Sequence, residues 1–221
     1  MKYWLVLLLA MWASNASAQK LVPPDEVVIH VHKDMPQQDA DFVEGLVCEL
    51  GRVLVAPVRA TGSDLPLYRS YLATPTQLDP DKVSRSFAQA TMGEGRVFRY
   101  LILPYDLKVE GLNYVFSSTK LNGDLNVVMS TVRLVPREPG LTRKRISDVT
   151  GDRLYKLMLK SVALLAGLRT NGCVMLFPRS LDELDHKPAE FCPDDKAALI
   201  VAGVLKERPF GACNTVAMLV R

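Results

Sequence analysis

Apolar positions fall at two spacings along this chain, and their alternation lays out the elements. Residues 26–32, with Val27, Val28, Ile29 and Val31, are rich in β-branched side chains and predict a strand. Residues 39–53 place Phe42, Leu46 and Leu50 at helical spacing on one face, with Asp39 as the expected cap. A short strand is expected at 55–59, followed by a stretch rich in Pro, Thr and Asp that reads as loop. A second helix over 81–90 is stopped by Met92-Gly93-Glu94-Gly95, and 97–103 is a mostly apolar strand. Strands at 114–118 and 125–134 are joined through Asn122-Gly123, a hairpin signal, and the turn Arg137-Glu138-Pro139-Gly140 leads into a long helix over 147–167. Ser180-Leu181-Asp182-Glu183 has the form of a capping box. A last helix is expected over 193–207, ended by Pro209 and Gly211, and residues 215–220 are apolar enough to pack on the core. Strands and helices interleaved in this way predict an α/β (α+β) fold, a twisted mixed sheet backed by helices.

The first eighteen residues stand apart from this pattern. Lys2 gives a basic start, residues 3–12 form an apolar core too short to span a membrane stably, and Ala16-Ser17-Ala18 has the form of a cleavage site. The expected organisation is a signal peptide over 1–18, a linker over 19–25 containing Pro23-Pro24, and one domain over 26–221. Export to a periplasm or the exterior follows, with no transmembrane segment after cleavage. Both tryptophans, Trp4 and Trp12, would leave with the leader.

Loss of Lys2 would lower the formal net charge from +3 to +2. So balanced a chain gives no argument for nucleic acid or an anionic surface. The one local basic run, Thr142-Arg143-Lys144-Arg145, reads as a solvated helix start, with phosphate or an acidic partner as the lesser reading. No GxSxG, phosphate loop or CxxC is present.

The most specific signal lies between residues 155 and 195. The helix containing Lys160-Ser161-Val162-Ala163-Leu164-Leu165-Ala166-Gly167-Leu168-Arg169-Thr170 is followed by Gly172-Cys173-Val174-Met175 and later by Glu190-Phe191-Cys192-Pro193-Asp194-Asp195. Together with the upstream strand pair, this order resembles the archaemetzincins, zinc peptidases marked by HExxHxxGxxH on a helix, a Cys-x-Met turn and a distal Phe-Cys-x-x-Cys. The resemblance implies a metzincin-like single domain. Anchored on Gly167-Leu168, it puts Lys160, Leu164 and Thr170 where the family has its three zinc-binding histidines, and Ser161 where it has its general-base glutamate. In HExxH the two histidines share one helical face and present neutral nitrogens to zinc, while the glutamate deprotonates the bound water. None of the four residues here does that work. No shift of register restores it, because no histidine lies between His32 and His186. The expectation is a pseudoenzyme with zinc lost and no cofactor, Met175 remaining as core support under the former site.

The family's structural cysteines are half lost as well: Asn171 and Asp195 stand at two of four positions, leaving Cys173 and Cys192. The resemblance therefore implies that these two are close and form a disulfide in an oxidising compartment. Four cysteines allow three pairings, and the residue pattern does not choose among them. If Cys173 pairs with Cys192, Cys48 remains for Cys213.

Two other constellations invite chemistry. His30 and His32 share one face of a strand and could chelate a metal, although His186 sits too far off in pattern to complete a set. Lys160 beside Ser161 suggests a Ser/Lys hydrolase, but adjacent helical residues point about 100° apart, which sets the amine away from the hydroxyl. Three functions remain open: a secreted pseudo-peptidase binding a peptide or an envelope protein, a metallopeptidase with unorthodox ligands, and a structural component of the envelope.

Overall fold

The computed structural model describes residues 20–121, 125–209, 211 and 213. The expected signal peptide, the Asn122-Gly123 turn and the 215–220 segment lie outside them, wholly or in their defining residues.

The main sheet has five strands: β1 (Glu26–His32), β2 (Val58–Ser63), β5 (Val97–Leu103), β7 (Ser117–Thr119) and β8 (Asn126–Ser130), in the order β2-β1-β5-β8-β7. The first four in that order are parallel, and β7 closes one edge antiparallel to β8. The near-continuous apolar runs of β1, β5 and β8 follow from burial on both faces, which parallel sheets require. On one face, Ile29, Tyr100 and Met129 meet α2 (Phe42–Val53) and α4 (Arg143–Ala166) in the larger core. On the other, Leu101, Leu103 and Val128 meet Val83 and Phe87 of α3 (Pro80–Ala90).

Helix α4 governs where the site lies. Thr142 caps it by accepting a hydrogen bond from the Arg145 N–H, and Gly167 ends it with φ of 113°. Its last carbonyls are satisfied from outside: Val22 N–H donates to Ala166 O at 2.8 Å, and the Arg96 guanidinium donates to Leu165 O at 2.7 Å. A cation at this end also suits the helix dipole. The helix begins at Arg143, earlier than the expected 147, because Thr142 supplies the cap and Arg143 forms a two-bonded ion pair with Asp41. The basic run is thus the exposed first turn of a helix.

Other boundaries differ from expectation for local reasons. The expected helix over 39–53 is split into α1 (Gln37–Ala40) and α2, so position 39 lies inside the first piece and the N-cap positions are Pro36 and Asp41. Strand β2 starts only after Pro57, whose carbonyl accepts the Val27 N–H. The segment read as loop contains β3 (Leu72–Thr74) and β4 (Gln77–Leu78), which join β6 (Asp106–Leu107) in a small second sheet. A short helix, α5 (Leu181–His186), starts at the predicted capping box, where the Ser180 hydroxyl accepts from the Glu183 N–H and the Glu183 carboxylate accepts from the Arg179 N–H. The last helix, α6 (Pro193–Val201), stops before 207 because Gly203, with φ of 73°, turns the chain and Val204 N–H bonds back to Leu199 O. Leu205 then bridges to Leu54 beyond the end of α2.

Candidate functional site

A cleft of about 450 Å³ opens between the β7 edge and α4. Residues 112–117 and Thr119 form one wall, Leu157, Lys160, Ser161 and Leu164 of α4 form the floor, and Phe177-Pro178-Arg179 form the other wall. Three of the four positions singled out by the resemblance therefore face one cavity.

Among the described residues the wall at β7 is an open strand edge. Lys120 N–H donates to Asn126 O and Phe116 O accepts from Ser130 N–H, both at 2.9 Å. The hydrogen-bonding sides of residues 116, 118 and 120 thus face β8, so by antiparallel alternation the N–H and C=O groups of Ser117 and Thr119 face the cleft side. The rim carries Leu112 and Phe177, both large and exposed.

The floor cannot perform the chemistry of HExxH. Lys160 is half-buried, its Nζ 4.8 Å from the centre of the Phe177 ring and 3.5 Å from Leu176 O, and burial lowers its ammonium from the ordinary value. An ammonium has no lone pair to offer a metal while charged. Ser161 is buried, donates to Leu157 O at 2.8 Å and accepts from the Thr119 hydroxyl at 3.3 Å. Its proton is committed to the helix backbone, and no bond joins it to Lys160, so a Ser/Lys nucleophile is not assembled. Leu164 contributes only alkyl surface. Thr170 is not part of the cleft lining; its hydroxyl donates to the Asp195 carboxylate at 2.9 Å.

Beneath the site, the chain from Cys173 to Met175 forms a 3-10 turn in which Met175 is buried in the main core. Cys173 has φ of 49°, a left-handed conformation uncommon for a residue with a side chain. Its sulfur is bonded to Cys192. The second pair, Cys48 with Cys213, ties α2 to the C-terminal segment.

The histidines do not come together as a site. His32 is buried, with Nε2 2.9 Å from Leu65 O and Nδ1 accepting from the Asp34 N–H, so both ring nitrogens are used. His30 stacks edge-on to Phe87, and burial with Arg59 and Arg99 nearby lowers it to about 4. His186 lies on α5, its Nδ1 against Asp182 O. Among the described residues no three His, Cys, Asp or Glu side chains cluster as metal ligands.

Sequence reasoning missed the cations that gather behind the floor. Lys187 is buried, donates to Leu176 O at 2.9 Å, and is pushed down to about 7 by burial and by Lys160 and Lys156. Lys156 donates to Asp185 O at 2.9 Å and pairs with Asp152. Arg153 holds the Asp185 carboxylate with two bonds of 2.7 Å and Leu134 O with a third. Only the i, i+4 pairing of Asp152 with Lys156 was readable in advance.

Comparison with known proteins bears on this arrangement. No family model matches the chain. The archaemetzincin of Halobacterium salinarum is 28% identical over 176 residues, 78% of this chain and 93% of that protein. The archaemetzincin of Archaeoglobus fulgidus is 32% identical over 89 residues, and the matched stretch spans half the length of that relative. Among solved structures, the Methanopyrus kandleri archaemetzincin matches with a TM-score of 0.65 at 21% identity, over 80% of this chain and 94% of that one. The chain is archaemetzincin-like. A zinc-dependent peptidase from Methanocorpusculum labreanum has the same fold, with a TM-score of 0.63 at 21% identity over 78% of this chain and 99% of that one. Within an archaemetzincin-like frame, the donor chemistry of Lys160, Ser161, Leu164 and Thr170 does not fit a zinc ion.

Proposed function

We propose that this is an exported pseudo-peptidase of archaemetzincin-like fold, which binds an extended peptide or an envelope protein segment in its cleft without hydrolysing it. The observation that carries the reading is the juxtaposition of an open strand edge, Ser117 and Thr119, with a floor of Lys160, Ser161 and Leu164. Strand addition needs only main-chain groups and side-chain pockets, and both are compatible with loss of the metal. Hydrolysis by the family's chemistry needs a metal-bound water and a base, and the floor supplies neither ligand nor carboxylate. The paired cysteines support export, since disulfides persist in oxidising compartments.

Zinc content of the purified mature protein after dialysis tests the reading, measured beside hydrolysis of a peptide library with and without a chelator. The expected result is less than about a tenth of an equivalent of zinc and no chelator-sensitive cleavage, because a catalytic site retains its metal through dialysis. Stoichiometric zinc with chelator-sensitive cleavage would instead establish a metallopeptidase with unorthodox ligands.

A further inference from the structure

Among the described residues several cations are matched by a carboxylate, whereas Lys160 on the cleft floor is not. Arg59 pairs with Glu26, Arg133 with Asp106, Arg143 with Asp41, Arg153 with Asp185, and Lys120 with Asp81. Lys160, on the cleft floor, has only a carbonyl and an aromatic ring as polar neighbours, and no Asp or Glu is among the residues lining the cleft. Arg179 adds a second cation on the far wall, its own backbone N–H taken by Glu183. Lys187, buried behind the floor, feels Lys160 and Lys156 as like charges.

We propose that the occupant of the cleft is an extended peptide segment bearing an internal Asp or Glu side chain, whose carboxylate sits on Lys160 while its backbone pairs with Ser117 and Thr119. This rests on the peptide-binding reading above and adds the chemistry of the partner. A half-buried ammonium with no acidic side chain beside it carries an uncompensated desolvation cost. A carboxylate beside it restores that balance and forms a charge-assisted hydrogen bond in a partly desolvated setting. Leu157 and Leu164 flank Lys160 on the floor and Phe177 covers it, so the side chains next to the carboxylate on that face of the peptide are apolar. Capture of a chain terminus is disfavoured: terminal carboxylates are held by clustered backbone N–H groups, and the backbone group that the Lys160 ammonium bonds is the Leu176 carbonyl, an acceptor.

Affinity selection on the immobilised protein tests this, using an end-blocked hexapeptide library (acetylated and amidated) with Glu, Gln or Lys fixed at a central position. Peptides enriched from the Glu pool are then resynthesised with Gln and with a free C-terminal acid. The expected result is enrichment from the Glu pool alone and about a tenfold weaker Kd for the Gln form, the scale of one charge-assisted bond. Lys160→Met should abolish the Glu-over-Gln preference, and Lys160→Arg should retain it, which guards against misfolding of the first variant. Thr119→Pro, which removes an N–H from the open edge, should weaken Glu and Gln peptides alike. Equal binding of Glu and Gln forms would overturn the acidic preference and leave the peptide-binding reading standing. Binding of free-acid peptides alone would overturn the internal carboxylate. Failure of every pool, on protein shown to be folded by its circular dichroism, would overturn both readings.

Discussion

Lys187 shows how a loop residue with no motif around it becomes a strongly perturbed cation. Its ammonium is buried against the Leu176 carbonyl and faces two other lysines, so the folded state holds it at about 7 rather than 10.5. Because the folded value is the lower one, the unfolded chain binds more protons between about 7 and 10.5, and stability rises with pH across that window. Below 7 both states are protonated and the penalty is constant. Lys187→Met is therefore expected to stabilise the protein at neutral pH and to remove most of the rise above it. Urea midpoints of the two proteins, taken at neutral pH and about two units higher, measure this. A small slope should remain in the variant, since burial shifts Lys160 in the same sense. Ser161 shows the opposite fate of a polar residue: with its proton on Leu157 O, it is satisfied within its own helix and carries no charge to relieve.

Helix α4 was more fully legible at one end than at the other. Gly167 after a long apolar run announces a stop, and anchoring on it places Lys160, Ser161 and Leu164 on a common cleft floor. The basic run reads as a solvated helix start, yet three consecutive basic residues carry no apolar periodicity, so the pattern itself begins only at 147; the first turn depends on the Thr142 cap and on Asp41, a residue 102 positions earlier. The small sheet of β3, β4 and β6 was invisible for a related reason. Its strands are two or three residues long, and β4 finds its partner β6 only through tertiary contact. Lys187 and Arg179 were equally silent, since they reach the cleft region through the path of a loop rather than through spacing. The legible end of α4 also gives the sharper test. Gly167 has φ of 113°, and a Cβ there would lie 3.4 Å from the Lys20 carbonyl in the segment that closes the helix. Gly167→Ala should cost about 1–2 kcal/mol, from the left-handed conformation and the crowded approach together. Guanidinium melts of the variant beside Gly151→Ala, which lies within α4 at an ordinary helical φ, separate that cost from a general effect of the added methyl.

Over the whole molecule, the two sulfur bridges do different work. Cys173–Cys192 closes a separation of 19 residues and fixes the turn bearing Met175 against the start of α6. Cys48–Cys213 closes a separation of 165 and fastens the chain beyond α6 onto α2, where Leu205 already bridges Leu54 and Lys206 N–H donates to Val53 O at 2.8 Å. In the chain-entropy model the short bridge contributes about 3 kcal/mol and the long one about 5. The long bridge is nevertheless the one whose loss the native contacts can absorb locally, because the main-chain bonds at residues 204–206 hold the same segment. Removing it should lower the denaturation midpoint more than removing the short bridge, while leaving the cleft intact. The short bridge lies behind the cleft wall, and Gly172 leaves only 3.0 Å between a notional Cβ and the Cys192 sulfur, so the backbone there is packed directly on the bridge. Its loss frees the 3-10 turn and, through it, Leu176 and Phe177, which contact Lys160. Paired Cys→Ala variants are therefore expected to dissociate the two effects: Cys48→Ala with Cys213→Ala mainly lowers the guanidinium midpoint, and Cys173→Ala with Cys192→Ala mainly weakens peptide binding. Equal losses of binding in the two double variants would show that the cleft depends on global stability and not on the turn beneath it.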